Sequence, residues 1–312
     1  MYDMHRHLGG SIPTSFIWEI INELGLRHLA ESHDDVVAQM TFAPYEQRGF
    51  YRFLDKFRLL DQIRWTEDLI ARSIQACCTR IAIEGITHCW MDFSINKYMC
   101  YLNWSEREAI QFIHDRFEAY APGVVGLVLS LKYESPRTSQ KKYAALINDP
   151  VVAPLLTGID LVGDEAYFDA EFYRPIFVDW RRAKKMTRAH VGESQSAENI
   201  MDAIVILGVT NVAHGLKIID HVDIIKAARD HGVTFDMGVT STYLTNVVTS
   251  GTHPARMIFD LGLDMTFGTD DPIQCSTTIG GEHDLVCRDL LFKPEEIAKT
   301  QEVANRNFWK YH

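Results

Sequence analysis

Eight short apolar or β-branched runs, each followed by a longer stretch with helical periodicity, constrain the fold of this chain most strongly. In residues 14–26 and 197–207, for example, apolar side chains recur every three or four positions, as on one face of a helix. Alternating strands and helices predict a parallel sheet, and eight such units predict a (β/α)₈ barrel, although the pattern alone also admits a large open sheet. The predicted strands are 2–8, 86–94, 124–132, 156–163, 186–193, 211–217, 233–241 and 264–271.

The chain is predicted to form one domain over residues 1–312. It contains no low-complexity tract, long linker or internal repeat that would mark a boundary. Hydrophobic residues make up 46% and charged residues 23%, as is typical of globular proteins rather than disordered ones. The six cysteines show no C-x-x-C spacing and are expected to be reduced thiols.

The net charge and the hydropathy pattern exclude several classes of partner. A formal net charge of −11 repels phosphate backbones and argues against nucleic-acid binding. The sequence shows no charged-then-apolar leader and no apolar run that approaches 18 residues, so neither a signal peptide nor a membrane span is expected. These features predict a soluble, cytoplasmic protein.

The longest connection lies between the first and second predicted strands. Insertions in barrels sit on the loops that follow the strands, around the mouth of the active site. We therefore expect a helical lid over approximately residues 14–80, with the aromatic side chains of Phe53 and Phe57 facing the pocket. The alternative is an additional packing layer on the outside of the barrel.

Candidate metal ligands and acid–base residues fall at the carboxyl ends of four predicted strands, where barrels build their active sites. A single His-x-His pair is weak evidence, but residues two apart on a strand do project from the same face. Buried histidines and aspartates are costly unless they are paired or bind a metal, so the coincidence at four strand ends predicts a common site. The residues are His5 and His7, His190 and Glu193, His214, and Asp270 and Asp271.

The motifs that contain these residues resemble those of the adenosine/AMP deaminase family of metal-dependent amidohydrolases. They occur in family order, with family-like spacing, over essentially the whole chain. They are D-M-H-R-H-L-x-G-S at 3–11, F-L-x-x-F at 53–57, I-D-L-x-G-D-E at 159–165, H-x-G-E at 190–193, A-H-G at 213–215 and T-D-D-P at 269–272.

The resemblance implies a metal centre with one Zn²⁺ per chain, bound by His5, His7, His190 and Asp270. Three neutral nitrogens and one carboxylate suit zinc and leave a position for water, whose pKa zinc brings to about 7. Related two-metal enzymes carry a lysine at the end of the fourth strand. Here that strand ends Val162-Gly163-Asp164-Glu165, which favours a single ion.

The resemblance also implies catalytic and substrate-binding roles. Hydroxide attacks the purine carbon that bears the amine, while His214 orients it and Asp270 accepts its proton. Glu193 protonates the neighbouring ring nitrogen, which requires a raised pKa. Asp271 and the backbone N–H of Gly163 take the other ring nitrogens.

Two departures from the family pattern bear on the substrate. Gly9 stands where nucleoside-specific members carry an aspartate that holds the ribose 5′-hydroxyl, so a negative charge that would repel a 5′-phosphate is missing. Asp92 stands near the end of the second strand, where the family has an acidic residue followed by an arginine. The expected substrate is adenosine or deoxyadenosine, with AMP, dAMP or an N6-substituted adenylate as the alternative.

Two further readings of the sequence compete with an adenosine-type deaminase. The first is an amidohydrolase acting on another amino-heterocycle, and the second is a catalytically silent barrel that binds a nucleotide. The second is disfavoured because the four ligands, Glu193 and His214 are all present. The chain also stops soon after Trp309, short of the family's usual terminal helix, so self-association is an additional expectation.

Overall fold

The computed structural model describes residues 1–249 and 251–312. Within these residues, eight parallel strands follow one another around the sheet in sequence order, from β1 to β8. The strands are β1 (Tyr2–His7), β2 (His88–Phe93), β3 (Val125–Lys132), β4 (Gly158–Val162), β5 (Met186–Val191), β6 (Asn211–His214), β7 (Thr234–Met237) and β8 (Met265–Phe267). The fold is therefore the predicted (β/α)₈ barrel.

The helices of the first half include five that lie between β1 and β2, so the predicted helical insertion is present. These five are α1 (Thr14–Glu23), α2 (His33–Met40), α3 (Phe50–Asp55), α4 (Arg58–Asp61) and α5 (Glu67–Ile83). They are followed by α6 (Asn96–Leu102), α7 (Glu106–Tyr120) and α8 (Arg137–Ala144).

The helices of the second half alternate with β4 to β8. They are α9 (Ala170–Arg182), α10 (Ala197–Asp202), α11 (Val222–His231), α12 (Val239–Leu244), α13 (Ala255–Asp260), α14 (Ile279–Asp289) and α15 (Pro294–Tyr311). Residues Ala203–Leu207 continue α10 as a π-helical turn, where the sequence predicted an uninterrupted helix. Several strands end earlier than predicted: β7, for instance, stops at Met237 and α12 begins at Val239.

The barrel closes between β1 and β8. The backbone N–H of His7 donates to the carbonyl of Asp270 at 2.8 Å, and the N–H of Asp270 donates to the carbonyl of His5 at 2.7 Å. These bonds supply the edge of β1 with a partner, so neither edge of the sheet is left open at this level.

The barrel interior is filled in layers. At the amino-terminal end, Met4, Trp90 and Met186 form an apolar cluster with Phe308 and Tyr311 of α15, which plugs this end. Above it lies a polar layer of fully buried side chains, contributed by β2, β4, β5 and β7, namely Asp92, Asp160, Arg188 and Asp236. The carboxyl ends of the strands form the third layer.

Candidate metal centre and active site

Histidine nitrogens and one carboxylate converge at the carboxyl end of the barrel. The Nε2 atoms of His5 and His190 lie 3.0 Å apart, and Asp270 Oδ1 lies 3.5 Å from His5 Nε2. The same oxygen lies 3.2 Å from His7 Nε2. These side chains come from β1, β5 and the end of β8, as the sequence predicted from their positions at strand ends.

His214 belongs to the same cluster but faces the other oxygen of the carboxylate. Together with His5, His190 and Asp270 it offers ligand atoms that all lie within 4.8 Å of one another. Its Nε2 atom is 3.8 Å from Asp270 Oδ2 and 3.8 Å from Glu193 Oε2. His214 is thus placed between two carboxylates, with its ring 5.1 Å from that of His5.

The polar layer fixes the ring of His190. Its Nδ1 atom lies 3.2 Å from Asp160 Oδ1 and 3.1 Å from the carbonyl oxygen of Leu161. The carbonyl oxygen is always an acceptor, and both oxygens of Asp160 are acceptors only when the carboxyl group is ionised. Arg188 favours this ionised form and helps to hold the pKa of Asp160 below its usual range, against the effect of burial. The proton of His190 is therefore on Nδ1, and a lone pair on Nε2 points at His5 and Asp270.

The donor set of His5, His190 and Asp270, with His7 beside Asp270, fits a metal ion. Four ligands arranged tetrahedrally at zinc–nitrogen distances near 2.0 Å lie about 3.3 Å apart, close to the separations around Asp270 Oδ1. Burial lowers the pKa of His5 well below its usual value and also lowers that of His190, so both rings are neutral and able to bind a cation. The pKa of Asp270 is held low by His5, His7 and His214 despite its burial, so it is a carboxylate.

Glu193 lies beyond the end of β5, 8% exposed, with its carboxyl group toward His214. Burial raises its pKa; His214 opposes this effect, whereas Asp270 and Glu165 add to it. A protonated carboxyl in an enclosed site is what a general acid needs at neutral pH.

Asp271 is a second buried carboxyl group aimed into the mouth. Among the described residues its Oδ1 has no hydrogen-bond partner, and burial raises its pKa to about 8, with Asp270 adding to the effect against His7. A Cβ on Gly10 would lie 2.0 Å from this oxygen, so only glycine allows the turn after β1 to pass so close to it. Asp271 can therefore donate a hydrogen bond to a ligand.

Gly163 follows β4 in the left-handed region, with φ of +98°. A Cβ here would lie 2.3 Å from Glu134 Oε2, so a side chain would be both strained and obstructed. Glycine leaves the backbone open to close approach at this strand end.

The insertion lies across the carboxyl-terminal mouth. Phe53 is 5% exposed and packs with Leu244 and Cys275, which follow β7 and β8. Phe57 is the nearest neighbour of a Cβ built on Gly9, at 3.9 Å, and the Tyr51 hydroxyl donates to Asp164 Oδ2 at 3.2 Å after β4. Residues 51–57 thus contact loops from several sides of the barrel.

Two residues that support the site, Arg188 and Glu165, were not assigned roles from the sequence. Arg188 donates from Nε to Asp160 at 2.7 Å and from Nη1 to Asp236 at 3.2 Å, and its Nη2 donates to Asp92. The cationic partner of Asp92 is therefore on β5. Since Arg188 precedes His190 by two residues in a strand, its inward direction could have been found from the alternation. Glu165 binds the loop that carries Glu193.

A (β/α)₈ barrel with a histidine–aspartate cluster at the carboxyl ends of its strands defines the metal-dependent amidohydrolase class of enzymes. The family model described as adenosine deaminase matches residues 1–309. The chain belongs to the adenosine deaminase family and is an enzyme of the aminohydrolase type.

Individual relatives are distant but match over nearly their full length. The adenosine deaminase of Shewanella denitrificans is 23% identical over 303 residues, covering 96% of this chain and 91% of the relative. That of Shewanella loihica is 25% identical over 314 residues, with the same coverage of 96% and 91%.

Solved structures share the fold. An adenine deaminase from Arthrobacter aurescens has a TM-score of 0.83 at 18% identity and covers 98% of this chain and 92% of its own. An amidohydrolase from Burkholderia ambifaria with bound zinc has a TM-score of 0.83 at 18% identity, with coverage of 98% and 84%. The Arabidopsis protein ADAL complexed with IMP has a TM-score of 0.81 at 18% identity, with coverage of 98% and 91%.

Within the described residues, no helix combines the length and the apolar character that a membrane-spanning segment needs.

Proposed function

We propose that this chain is a zinc-dependent hydrolase that replaces the amino group of a purine nucleoside with oxygen, converting adenosine or deoxyadenosine to inosine or deoxyinosine with release of ammonia. One observation carries the proposal. Glu193, a buried acid with a raised pKa, and His214 face the cluster of His5, His190 and Asp270 at the barrel mouth. The names of the Shewanella relatives support the substrate class.

The metal assignment follows from the donor set. His5, His7, His190 and Asp270 would hold one Zn²⁺, which when bound lowers the pKa of a water molecule to about 7. Asp270 Oδ1 faces His5 and His7, whereas Oδ2 faces His214. Asp270 and His214 are therefore placed to take the proton of the water that adds to the purine.

Three hydrogen-bond donors match the three ring nitrogens of adenine that accept them. Glu193 and Asp271 have raised pKa values and can donate as neutral acids, and Gly163 offers a backbone N–H. Protonation of N1 by Glu193 makes C6 electrophilic, so water can add there and give one proton to Asp270 or His214. That proton passes to the amino group, which leaves as ammonia, and the remaining hydroxyl proton restores the acid as C6 becomes a carbonyl. Asp271 and Gly163 hold N7 and N3, which orients C6 toward Asp270.

Phe53, Phe57 and Gly9 define the proposed outer part of the pocket. We propose that α3 and α4 act as a lid whose aromatic cluster excludes water from the ring. The absence of a side chain at Gly9 leaves space beside Phe57 for the sugar and its 5′ substituent.

A second candidate substrate is AMP, dAMP or an N6-substituted adenylate. Gly9 places no negative charge in this space, and a structural neighbour, Arabidopsis ADAL, binds IMP. Both candidates use the same residues on the purine and differ only at the 5′ position.

Metal analysis combined with an ammonia-release screen tests the proposal. We expect one zinc per chain and ammonia release from adenosine or deoxyadenosine, abolished by Glu193→Gln, whose amide cannot supply the proton. Assays of AMP and dAMP separate the two candidate substrates. Assays of adenine and of pterins test other heterocycles, and amine release from N6-methyl-AMP tests the substituted adenylates. A chain that binds zinc but releases no amine from any of these compounds contradicts the proposal.

A further inference from the structure

The loop that carries Glu193 is gathered around one buried carboxylate. Glu165, 3% exposed, lies in the short helical turn after β4. Its Oε1 accepts from the N–H of Gly192 at 2.5 Å and from Asn199 Nδ2 at 3.0 Å. Its Oε2 accepts from the N–H groups of Glu193, Ser194 and Gln195 at 3.1, 2.9 and 2.9 Å. Four successive backbone donors therefore point at a single side chain.

This arrangement replaces the sheet as the support for Glu193. Strand β5 ends at Val191, so the ladder that fixes His190 does not extend to Glu193. Gly192 turns the backbone with φ of +65°, and a Cβ there would lie 2.4 Å from Ile200. Beyond this turn the N–H groups have no strand to pair with, and Glu165 satisfies them.

Glu165 also places a negative charge beside Glu193, the proposed acid. The charged and titratable groups that face Glu193 are His214 from β6, Asp270 and Asp271 from the end of β8, Glu165 from the turn after β4 and Tyr133 from the end of β3. His214 favours the ionised form of Glu193, whereas Asp270 and Glu165 favour the protonated form. Glu165 is thus connected to Glu193 both through its backbone and through the field at its carboxyl group.

From this geometry we infer that Glu165 is a positioning residue for the reaction: by binding the N–H groups of residues 192–195 it aims the carboxyl group of Glu193 at the substrate ring. The inference rests on the proposed role of Glu193 as general acid. It assigns Glu165 no contact with substrate or metal.

Glu165→Gln tests the inference. The amide of glutamine presents N–H groups where the loop also presents N–H groups. One side of the set of hydrogen bonds from residues 192–195 must therefore be lost. We expect kcat to fall on the order of 100-fold, the effect of a displacement of about 1 Å in a catalytic group. Zinc content should stay at one per chain, because no ligand is touched. The alkaline limb of the pH profile should move to lower pH, since removing the charge of Glu165 lowers the pKa of Glu193.

Glu282→Gln is the matched control. Glu282 is a buried carboxyl group that accepts from backbone N–H groups after β7, those of Val239 and Thr240 at 3.0 and 3.1 Å. Both variants should lower the melting temperature, but only Glu165→Gln should shift the pH profile. Equal losses of kcat with unshifted profiles in both variants would overturn the inference.

Asn199→Ala provides a variant that retains the carboxylate. It removes the only side-chain amide that binds Glu165 in the described structure. We expect a smaller fall in kcat in the same direction. If Glu165→Gln does not fold and Asn199→Ala retains native kcat and pH profile, the inference is wrong. If the unmodified chain deaminates nothing, the proposed function fails instead, so the two failures are distinguishable.

Discussion

Asp160→Asn, compared with a matched variant of the same layer, distinguishes two effects of Asp160 on zinc binding: its hydrogen bond to His190 and its negative charge inside the barrel. In the structure Asp160 serves two donors at once: Oδ2 accepts from Arg188 Nε at 2.7 Å, and Oδ1 lies 3.2 Å from His190 Nδ1. An asparagine has one acceptor oxygen and can serve only one of them. Since the bond to a guanidinium is the stronger, we expect the amide oxygen to stay with Arg188 and His190 to lose its carboxylate.

The expected magnitude follows from what remains at His190. Loss of an outer hydrogen-bond partner of a ligating histidine typically weakens metal binding by roughly 10- to 100-fold. The carbonyl of Leu161 still lies 3.1 Å from His190 Nδ1 and continues to favour the same tautomer. We therefore expect a change at the lower end of this range, roughly tenfold in the zinc dissociation constant, or about 1.4 kcal/mol.

The assay is competition for zinc against a chelator of known affinity, with Asp236→Asn as the control. Asp236 also binds Arg188, at 3.2 Å, and is equally buried, but its other partners are Asn211 and Thr266 rather than a metal ligand. Both variants remove one negative charge from the same layer. If Asp236→Asn weakens zinc binding as much as Asp160→Asn does, the charge of the layer and not the hydrogen bond to His190 sets the affinity.

Three further changes probe specificity and stability. At Gly9 a Cβ would meet only the ring of Phe57, at 3.9 Å. Gly9→Asp should therefore raise the ratio of kcat/KM for adenosine to that for AMP at least about tenfold, by adding an acceptor and a charge; an unchanged ratio would place the sugar elsewhere. Burial lowers the pKa of His253 to about 3. Between pH 6.5 and 3 the unfolded chain therefore binds a proton that the folded chain does not. As the pH is lowered through this range, the free energy of unfolding of the metal-free protein should decrease by up to about 1.4 kcal/mol per pH unit. His253→Gln should remove that part of the slope in urea denaturation, and an unaltered slope contradicts the assignment. Arg188→Met leaves the buried layer of three aspartates without a cation and should cost about 3–5 kcal/mol of unfolding free energy. Asp92→Asn should cost less. Equal losses in denaturant titrations would show that the layer does not depend on its cation.

The strands and the candidate ligands could be predicted because both depend on local patterns. Apolar runs alternate with helical periodicity, and the carboxyl ends of parallel strands meet on one face, so His5, His190 and Asp270 were placed together without knowledge of the packing. The ends of strands were less predictable. Residues 238–241 remain apolar or small after β7, and nothing in that pattern shows that Val239 already belongs to a helix.

Contacts across the barrel interior could not be predicted from the same patterns. A period of two places Asp92 and Arg188 inside the barrel, but it does not say which strands face each other across the centre. The partner of Asp92 on β2 lies on β5, nearly a hundred residues away, and the interaction is shared with Asp160 and Asp236. Glu165 was part of a recognised motif, yet its role depends on the loop after β5, whose course the sequence does not specify.

The closure of the barrel and the assembly of the site use the same residues. The backbone bonds that join β8 to β1 connect Asp270 with His5 and His7, whose side chains converge on Asp270 Oδ1. Asp270 adopts φ of +59°, a conformation that non-glycine residues rarely adopt, and it does so where its N–H and carbonyl both pair with β1. A cation bound by these side chains would link the two edges of the sheet a second time. A change that weakens the junction between β1 and the end of β8 should therefore also lower the affinity for the metal, and loss of the metal should weaken this junction.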